Sequence, residues 1–508
     1  MNGSDLKKEF GDYQTPEPFA EVVCKLLRDK LNIDPKIIIE PTSGLGNFLC
    51  AALKTFTDIR QVIGVEINTS YCNECKKHIT DKRVHIFNEN FFTYPIEMHI
   101  KNEETLFLGN PPWATNSELN FNLPNKENFK KLSGTDAITG ASNFDICEYI
   151  ILKLMEKSIG RKVSIAMLCK TSVARNVLLE IDRKDMCIDA VEIYKFDSAK
   201  VFGISASACL LYIKMSVSDV KCRECVVYEM NDLGVVQGKI FFKDGKLNNL
   251  NEGIVDLDGI CGIEWRQGVK HDCAGVMELE KKGEHIYKNK NKEEIELEDS
   301  LVFPLMKSSS FKKPVINTDF KKYVIVTQKK AREETEYIKE LAPKTWKYLW
   351  DRKEVFESRK SSIYKGAPAF SMFGVGEYSY AKYKVGISGF YKKPLFTLIY
   401  NEEKAGQPIM VDDTSYFLSF NNFSNAYTCM LLLNSSKVQE FLFSISFQDA
   451  KRPYTKKVLQ RLDLNKCVKN ITFNELVETE KALGLQYTIT QEMYTEFADY
   501  IKILKNTG

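Results

Sequence analysis

Through its first 215 residues the chain repeats one alternation: a short run of branched apolar residues, then a longer segment with apolar residues at helical spacing. KIIIEP (36–41), QVIGVEI (61–67), VHIFNENF (84–91), LFLGNPP (106–112) and KVSIAMLC (162–169) read as strands. NFLCAALKTF (47–56), SYCNECKKHI (70–79), FDICEYIILKLMEKSI (144–159) and ARNVLLEID (174–182) read as the helices that accompany them. Strands that are apolar on both faces belong to a covered, mostly parallel sheet, and parallel strands need crossover helices. The pattern therefore predicts an α/β fold, a Rossmann-like doubly wound sheet, completed by the strand-like DAVEIYKF (189–196) and SACLLYIKM (207–215).

Beyond about residue 250 the texture changes to lysines, tyrosines and scattered short strands such as KKYVIVTQ (321–328) and KPLFTLIY (393–400). One charge-rich segment, KKAREETEYIKELAPKTWKYLWDRKEVFESRK (329–360), reads as helical. The polar KDGKLNNLNEG (243–253) marks a boundary, giving a catalytic domain over 1–250 and a mixed α+β domain over 251–508. A chain of 508 residues is long enough for two cores.

A net charge of +3 neither announces nor excludes a nucleic-acid partner, since a basic cleft can be balanced by acidic faces. No apolar run reaches the length of a membrane span. MNGSDLKKEFGDYQTP has no apolar signal core, so a cytoplasmic location is expected. In that compartment the 14 cysteines read as reduced thiols. The pairs Cys72/Cys75, with His78 nearby, and Cys222/Cys225 have the spacing of a four-thiolate zinc site. Their helical and strand-edge settings favour core thiols, and no metal is expected.

The chemistry gathers at two strand ends. In IIIEPTSGLGNF, Gly44 and Gly46 follow a strand and precede a helix, where glycine lets backbone approach a ligand closely. The third glycine of a dinucleotide fingerprint is replaced by Leu49, which argues against a pyrophosphate grip. Glu66 ends the next strand, where a carboxylate meets ribose hydroxyls in such sheets. LFLGNPPW (106–113) then runs a strand into Asn110, Pro111, Pro112 and Trp113. The two prolines donate no backbone hydrogen bond and fix the direction of the preceding carbonyls.

The ordered set GDYQTP, EPTSGLGNF, GVEI, NENFF, GNPPW and VFGISASACLLYI resembles the gamma class of S-adenosylmethionine-dependent DNA adenine-N6 methyltransferases, the TaqI-type enzymes. The resemblance covers the first 215 residues by motif. It extends loosely to KVGISGFYKKPLF, DDTSYFL and LLLNSSKVQEFL, which look like a target-recognition region. It implies S-adenosylmethionine as cofactor, with Tyr13, Gln14, Thr15 and Pro16 closing over its methionine end. Glu40, Pro41, Gly44 and Gly46 would line the first turn, Glu66 and Ile67 the ribose, and Asn90 and Phe91 the adenine. The family usually has Asp where Asn90 stands; an amide still offers its carbonyl oxygen.

An exocyclic adenine amine is a poor nucleophile because its lone pair is delocalised into the ring. The Asn110 side-chain oxygen and the Pro111 carbonyl would accept its hydrogens, a preorganised arrangement. The resemblance implies a base flipped out of double-stranded DNA, stacked on Trp113 and covered by Phe202. A solitary enzyme or one paired with a separate restriction endonuclease both fit. The same chemistry on RNA, on a protein glutamine amide or on cytosine N4 stays open, although about 250 residues beyond the catalytic fold suit a surface that reads several base pairs.

Candidate DNA contacts are Lys126, Lys130 and Lys131 in the long polar stretch 114–143, and Arg266 and Lys270 in GIEWRQGVKHD (262–272). Lys451 and Arg452 in KRPYTKK (451–457) complete the set, with FYKKP (390–394) of similar basic-aromatic character.

Overall fold

The computed structural model describes residues 13–114, 145–249, 254–318, 320–402, 407–486 and 488–506. The chain divides into two compact units, Met1–Leu250 and Asn251–Gly508. Lys126, Lys130 and Lys131 lie outside the described residues.

The first unit is built on one ten-stranded sheet. Its parallel half comprises β1 (Ile37–Glu40), β2 (Gln61–Val65), β3 (Val84–Phe87), β4 (Thr105–Gly109) and β5 (Val163–Lys170), in the order β3-β2-β1-β4-β5. Then come β6 (Ile188–Asp197) and β7 (Ser207–Met215), with β7 inserted antiparallel between β5 and β6. A further extension adds β8 (Glu224–Glu229), β9 (Asp232–Lys243) and β10 (Lys246–Asn249) beyond β6.

From β1 the chain moves one way to β2 and β3, then returns to β4 on the other side of β1. That reversal opens a crevice outside the carboxyl ends of β1 and β4, the place where open α/β sheets bind ligands. The ends of those two strands are Glu40 and Gly109, so the glycine turn and Asn-Pro-Pro-Trp face one crevice.

The helices are α1 (Glu17–Asp29), α2 (Asn47–Thr55), α3 (Thr69–His78), α4 (Ile146–Lys157), α5 (Thr171–Arg183) and the short α6 (Ser198–Phe202). α2 to α5 form where the apolar spacing placed them, while α1 and α6 were not read from the sequence. α1 buries Ala20, Val23, Cys24 and Leu27, and α2 buries Phe48, Leu49, Ala51 and Ala52. The expected strand over 84–91 is shorter, ending at Phe87. Beyond it Asn88 Nδ2 donates to the Glu66 carbonyl at 2.8 Å.

The second unit holds a five-stranded sheet, a six-stranded sheet and a C-terminal group of helices between Phe423 and Asn506. Trp265, read from sequence beside two candidate contacts, is fully buried in its core against Phe396. The segment 329–360 is not one helix. It breaks into Ile338–Leu341, Pro343–Trp350 and Lys353–Glu357, because Pro343 has no N–H to continue the first and is suited to begin the second.

Candidate active site

Gly44 and Gly46 both have left-handed backbones, with φ of 51° and 82°. A Cβ at Gly44 would stand 2.5 Å from Gln14 Oε1, and one at Gly46 would stand 2.4 Å from Cys75 Sγ. The turn is thus held tight against the N-terminal strap and α3. Gly46→Ala should lower the unfolding free energy by about 2–4 kcal/mol, from left-handed strain plus overpacking. Urea titration of the two proteins checks this, and an equal midpoint would refute it.

Glu66 organises the same turn. Its Oε2 accepts from the Gly44 N–H at 2.7 Å and its Oε1 from the Asn68 N–H at 2.7 Å. Glu40 lies between the ends of β1 and β4, its Cγ 3.2 Å from where a Gly109 Cβ would be. Burial pushes the Glu40 carboxyl well above the usual carboxylate range. The neighbouring Glu66 charge adds to this, and a backbone N–H from Leu49 opposes it.

Five buried side-chain oxygens here have no hydrogen-bond partner: Thr15 Oγ1, Glu40 Oε2, Thr42 Oγ1, Ser43 Oγ and Asn110 Oδ1. An unsatisfied buried polar atom costs roughly 1–3 kcal/mol, so several of them on the strap, at the turn after β1 and at the end of β4 point to a polar ligand there. The donor set fits a small molecule rich in hydroxyl and amino groups, which is the character of the methionine and ribose parts of S-adenosylmethionine. Pro41 continues β1 into the turn. Ile67 is half exposed beside Glu66, and Phe91 is buried. Asn90 differs from a free acceptor: its Oδ1 takes the Phe92 N–H at 2.9 Å, closing its own turn and leaving a second lone pair.

The strap residues 13–16 join both strand ends. Gln14 Oε1 accepts from the Leu45 N–H at 3.2 Å, and Asn47 Nδ2 donates to the Thr15 carbonyl at 2.7 Å. Pro16 leads into α1. The Tyr13 carbonyl accepts from Asn110 Nδ2 at 2.8 Å. That bond fixes the carboxamide with its nitrogen on the strap and its unpaired oxygen turned away from it.

Beyond Asn110, Pro111 and Pro112, Trp113 is 5% exposed and donates its indole N–H to the Leu168 carbonyl at 3.3 Å. Lys170, at the end of β5, donates to the Trp113 carbonyl at 3.1 Å and to Asp145 Oδ2 at 3.0 Å. Asp145 also caps α4 by accepting from the Cys147 N–H. Phe202 closes α6, its ring centroid 5.4 Å from that of Trp113. The tie of Lys170 to Trp113 and Asp145 joins positions 57 and 25 residues away, a relation no local pattern carries.

In the second unit the Arg266 guanidinium covers the Tyr378 ring at 4.5 Å and pairs with Glu264 at 2.5 Å. Lys270 lies 3.5 Å from Asp272. Arg452 and Lys451 stand over the Phe390 ring at 4.8 and 6.0 Å, and Tyr454 donates to the Lys392 carbonyl at 2.9 Å. The two basic-aromatic segments, joined by a contact between residues 62 apart in the chain, therefore form one cluster. Among the described residues no group of three or more metal-ligating side chains occurs. Cys72 and Cys75 are buried on α3, and burial pushes the Cys75 thiol up to about 12. No helix among the described residues is long and apolar enough to cross a membrane.

A doubly wound sheet with an antiparallel seventh strand and unpartnered polar groups at the β1/β4 switch point has the arrangement in which open α/β sheets take up a ligand. Residues 1–186 match the family model of the N-6 DNA methylases. The sequence is 39% identical to the Type II methyltransferase M.NspV of Nostoc sp. over 488 residues, 92% of this chain and 99% of that one. The chain belongs to the N-6 DNA methylase family. Among solved structures, the type IIG restriction endonuclease BpuSI is 12% identical, covering 97% of this chain and 65% of its own, with a TM-score of 0.35. A type I restriction-modification methyltransferase subunit from Streptococcus thermophilus is 14% identical, covering 44% and 49%, with a TM-score of 0.30.

Proposed function

We propose that this methyltransferase transfers a methyl group from S-adenosylmethionine to the N6 amine of an adenine flipped out of double-stranded DNA, as the modification partner of a restriction endonuclease. The observation that carries the reading is Asn110: its nitrogen is tied to the Tyr13 carbonyl, and its oxygen is buried without a partner. A buried acceptor held in that way is built to receive a donor from a ligand.

S-adenosylmethionine, when bound, supplies an electrophilic methyl group. The chain's own residues do the rest. Thr15, Glu40 and Thr42 offer unpaired oxygens to the polar groups of the ligand. Glu66, already fixed by two backbone N–H groups, presents its remaining lone pairs to ribose hydroxyls, and Asn90 and Phe91 flank the adenine. Asn110 Oδ1 and the Pro111 carbonyl accept hydrogens from the target amine and draw its lone pair out of the ring. Trp113 and Phe202 supply the aromatic surface for the base.

The second unit reads the sequence around the base, which is the gamma-class arrangement of cofactor motif, catalytic motif and recognition region. Lys126, Lys130, Lys131, Arg266, Lys270, Lys451 and Arg452 are assigned to DNA contact. The Arg452–Phe390 cluster supports that assignment, since cations held on an aromatic ring keep donors free for phosphates.

Sequencing of modified bases in DNA from cells expressing the protein tests the proposal. It should reveal N6-methyladenine at one short motif. Methylation confined to RNA, cytosine or glutamine would replace the reading. Glu66→Ala should weaken S-adenosylmethionine binding by roughly tenfold or more through loss of charge-assisted hydrogen bonds, each worth about 1.5–3 kcal/mol. Calorimetry with unchanged affinity would reduce Glu66 to a support for the glycine turn.

A further inference from the structure

The ring assigned to base stacking is covered. Trp113 meets Tyr13 at 6.1 Å between centroids and Phe202 at 5.4 Å, while Tyr13 and Phe202 stand 6.2 Å apart. The three planes are mutually inclined at 53°, 76° and 52°, so they fill one space instead of bounding a slot. A base between two rings needs about 7–8 Å, two contacts of 3.5–4.0 Å each. Trp113 and Phe202 stand closer than that, so a base that touches both meets them from the side where the Tyr13 ring now lies.

One ring must leave, and the contacts single it out. Trp113 is pinned by its indole N–H on Leu168 and by Lys170 on its carbonyl. Phe202 is anchored from behind by Phe19 at 6.4 Å and Phe196 at 6.1 Å. Among the described aromatic pairs Tyr13 touches only Trp113 and Phe202. Its backbone is held separately, through its carbonyl on Asn110. The ring can therefore rotate out by its own side-chain torsions while the strap, and the aim of the Asn110 oxygen, stay as they are.

We infer that Tyr13 is a positioning residue whose ring occupies the target-base place on Trp113 in the absence of DNA and is displaced as the base enters. The inference rests on the base-flipping reading of the site. It also moves Tyr13 from the cofactor side, where its motif placed it, to the base side. The ring competes with the base for the same aromatic surface, so its presence raises the threshold for flipping and lets only a base that gains further contacts, such as those to Asn110, remain.

The test uses the full-length protein and a duplex carrying 2-aminopurine at the adenine that modified-base sequencing identifies. Its fluorescence rises when the base leaves the stack. Wild type should raise it; no rise would overturn the base-flipping reading and this inference with it. Tyr13→Ala should increase the ratio of flipped to stacked base about two- to tenfold over wild type, the scale of one aromatic pair. Tyr13→Phe keeps the ring and should restore the wild-type ratio. A wild-type rise together with an equal or smaller rise for Tyr13→Ala would overturn the inference alone, because a ring that merely walls the pocket or supports the fold gives no gain when removed.

Discussion

Asn110→Ala lowers methyl transfer by on the order of 10²–10³, the scale of losing one preorganised polar contact made in the transition state, while S-adenosylmethionine affinity stays near wild type. The reason for the split is geometric. Asn110 stands at the end of β4 and binds the strap only through the Tyr13 carbonyl, whereas the cradle on the β1 side has its own ties through Gln14 to Leu45, Asn47 to Thr15 and Glu66 to Gly44. Asn110→Asp refines the result. Aspartate keeps an acceptor but cannot donate to the Tyr13 carbonyl, and two facing oxygens repel, so the acceptor is lost from its aimed position. Both variants should fall in turnover with similar cofactor affinity by calorimetry. Equal losses of affinity and turnover would place Asn110 in the cofactor cradle instead.

The parallel strands were legible because burial on both faces demands continuous apolar runs, and IIIE, QVIGV and TLFLG leave no other reading. The glycine turn was legible because only glycine takes those left-handed angles under Gln14 and Cys75. Asn-Pro-Pro-Trp stood out for what its prolines forbid. The extension β8–β10 was harder to see, since β9 is mostly exposed and its sequence DLGVVQGKIFFK carries little alternation. Least legible were relations that exist only after folding. Tyr13 reads as part of a cofactor motif, yet its ring packs on Trp113, exactly 100 residues further on. Arg452 and Phe390 likewise meet only because the second unit folds their segments together. Sequence periodicity reports which face of an element is buried, but not which residue it meets there.

Lys170→Met lowers the unfolding free energy by about 3 kcal/mol at pH 8, the low end for stranding one partner of a buried ion pair, because Lys170 keeps 30% of its side chain exposed against 11% for Asp145. The effect depends on pH in a stated direction. Burial raises the Asp145 carboxyl above its usual range, while the charge and hydrogen bond of Lys170 and the Cys147 N–H pull it back down. An acid whose value is raised in the folded state binds more protons folded than unfolded, so its contribution to stability falls as pH rises from the unfolded value through the folded one. Without Lys170 the folded value climbs further and the loss continues to higher pH. The gap between wild type and Lys170→Met is therefore smaller at acid pH and widens toward neutrality. Adding Asp145→Asn to Lys170→Met removes the stranded charge and should recover part of the stability at pH 8. It should not recover turnover, since the Trp113 carbonyl still lacks its lysine. Urea titrations at pH 4.5 and 8 give the comparison, and a gap independent of pH would mean that Lys170 acts only through Trp113.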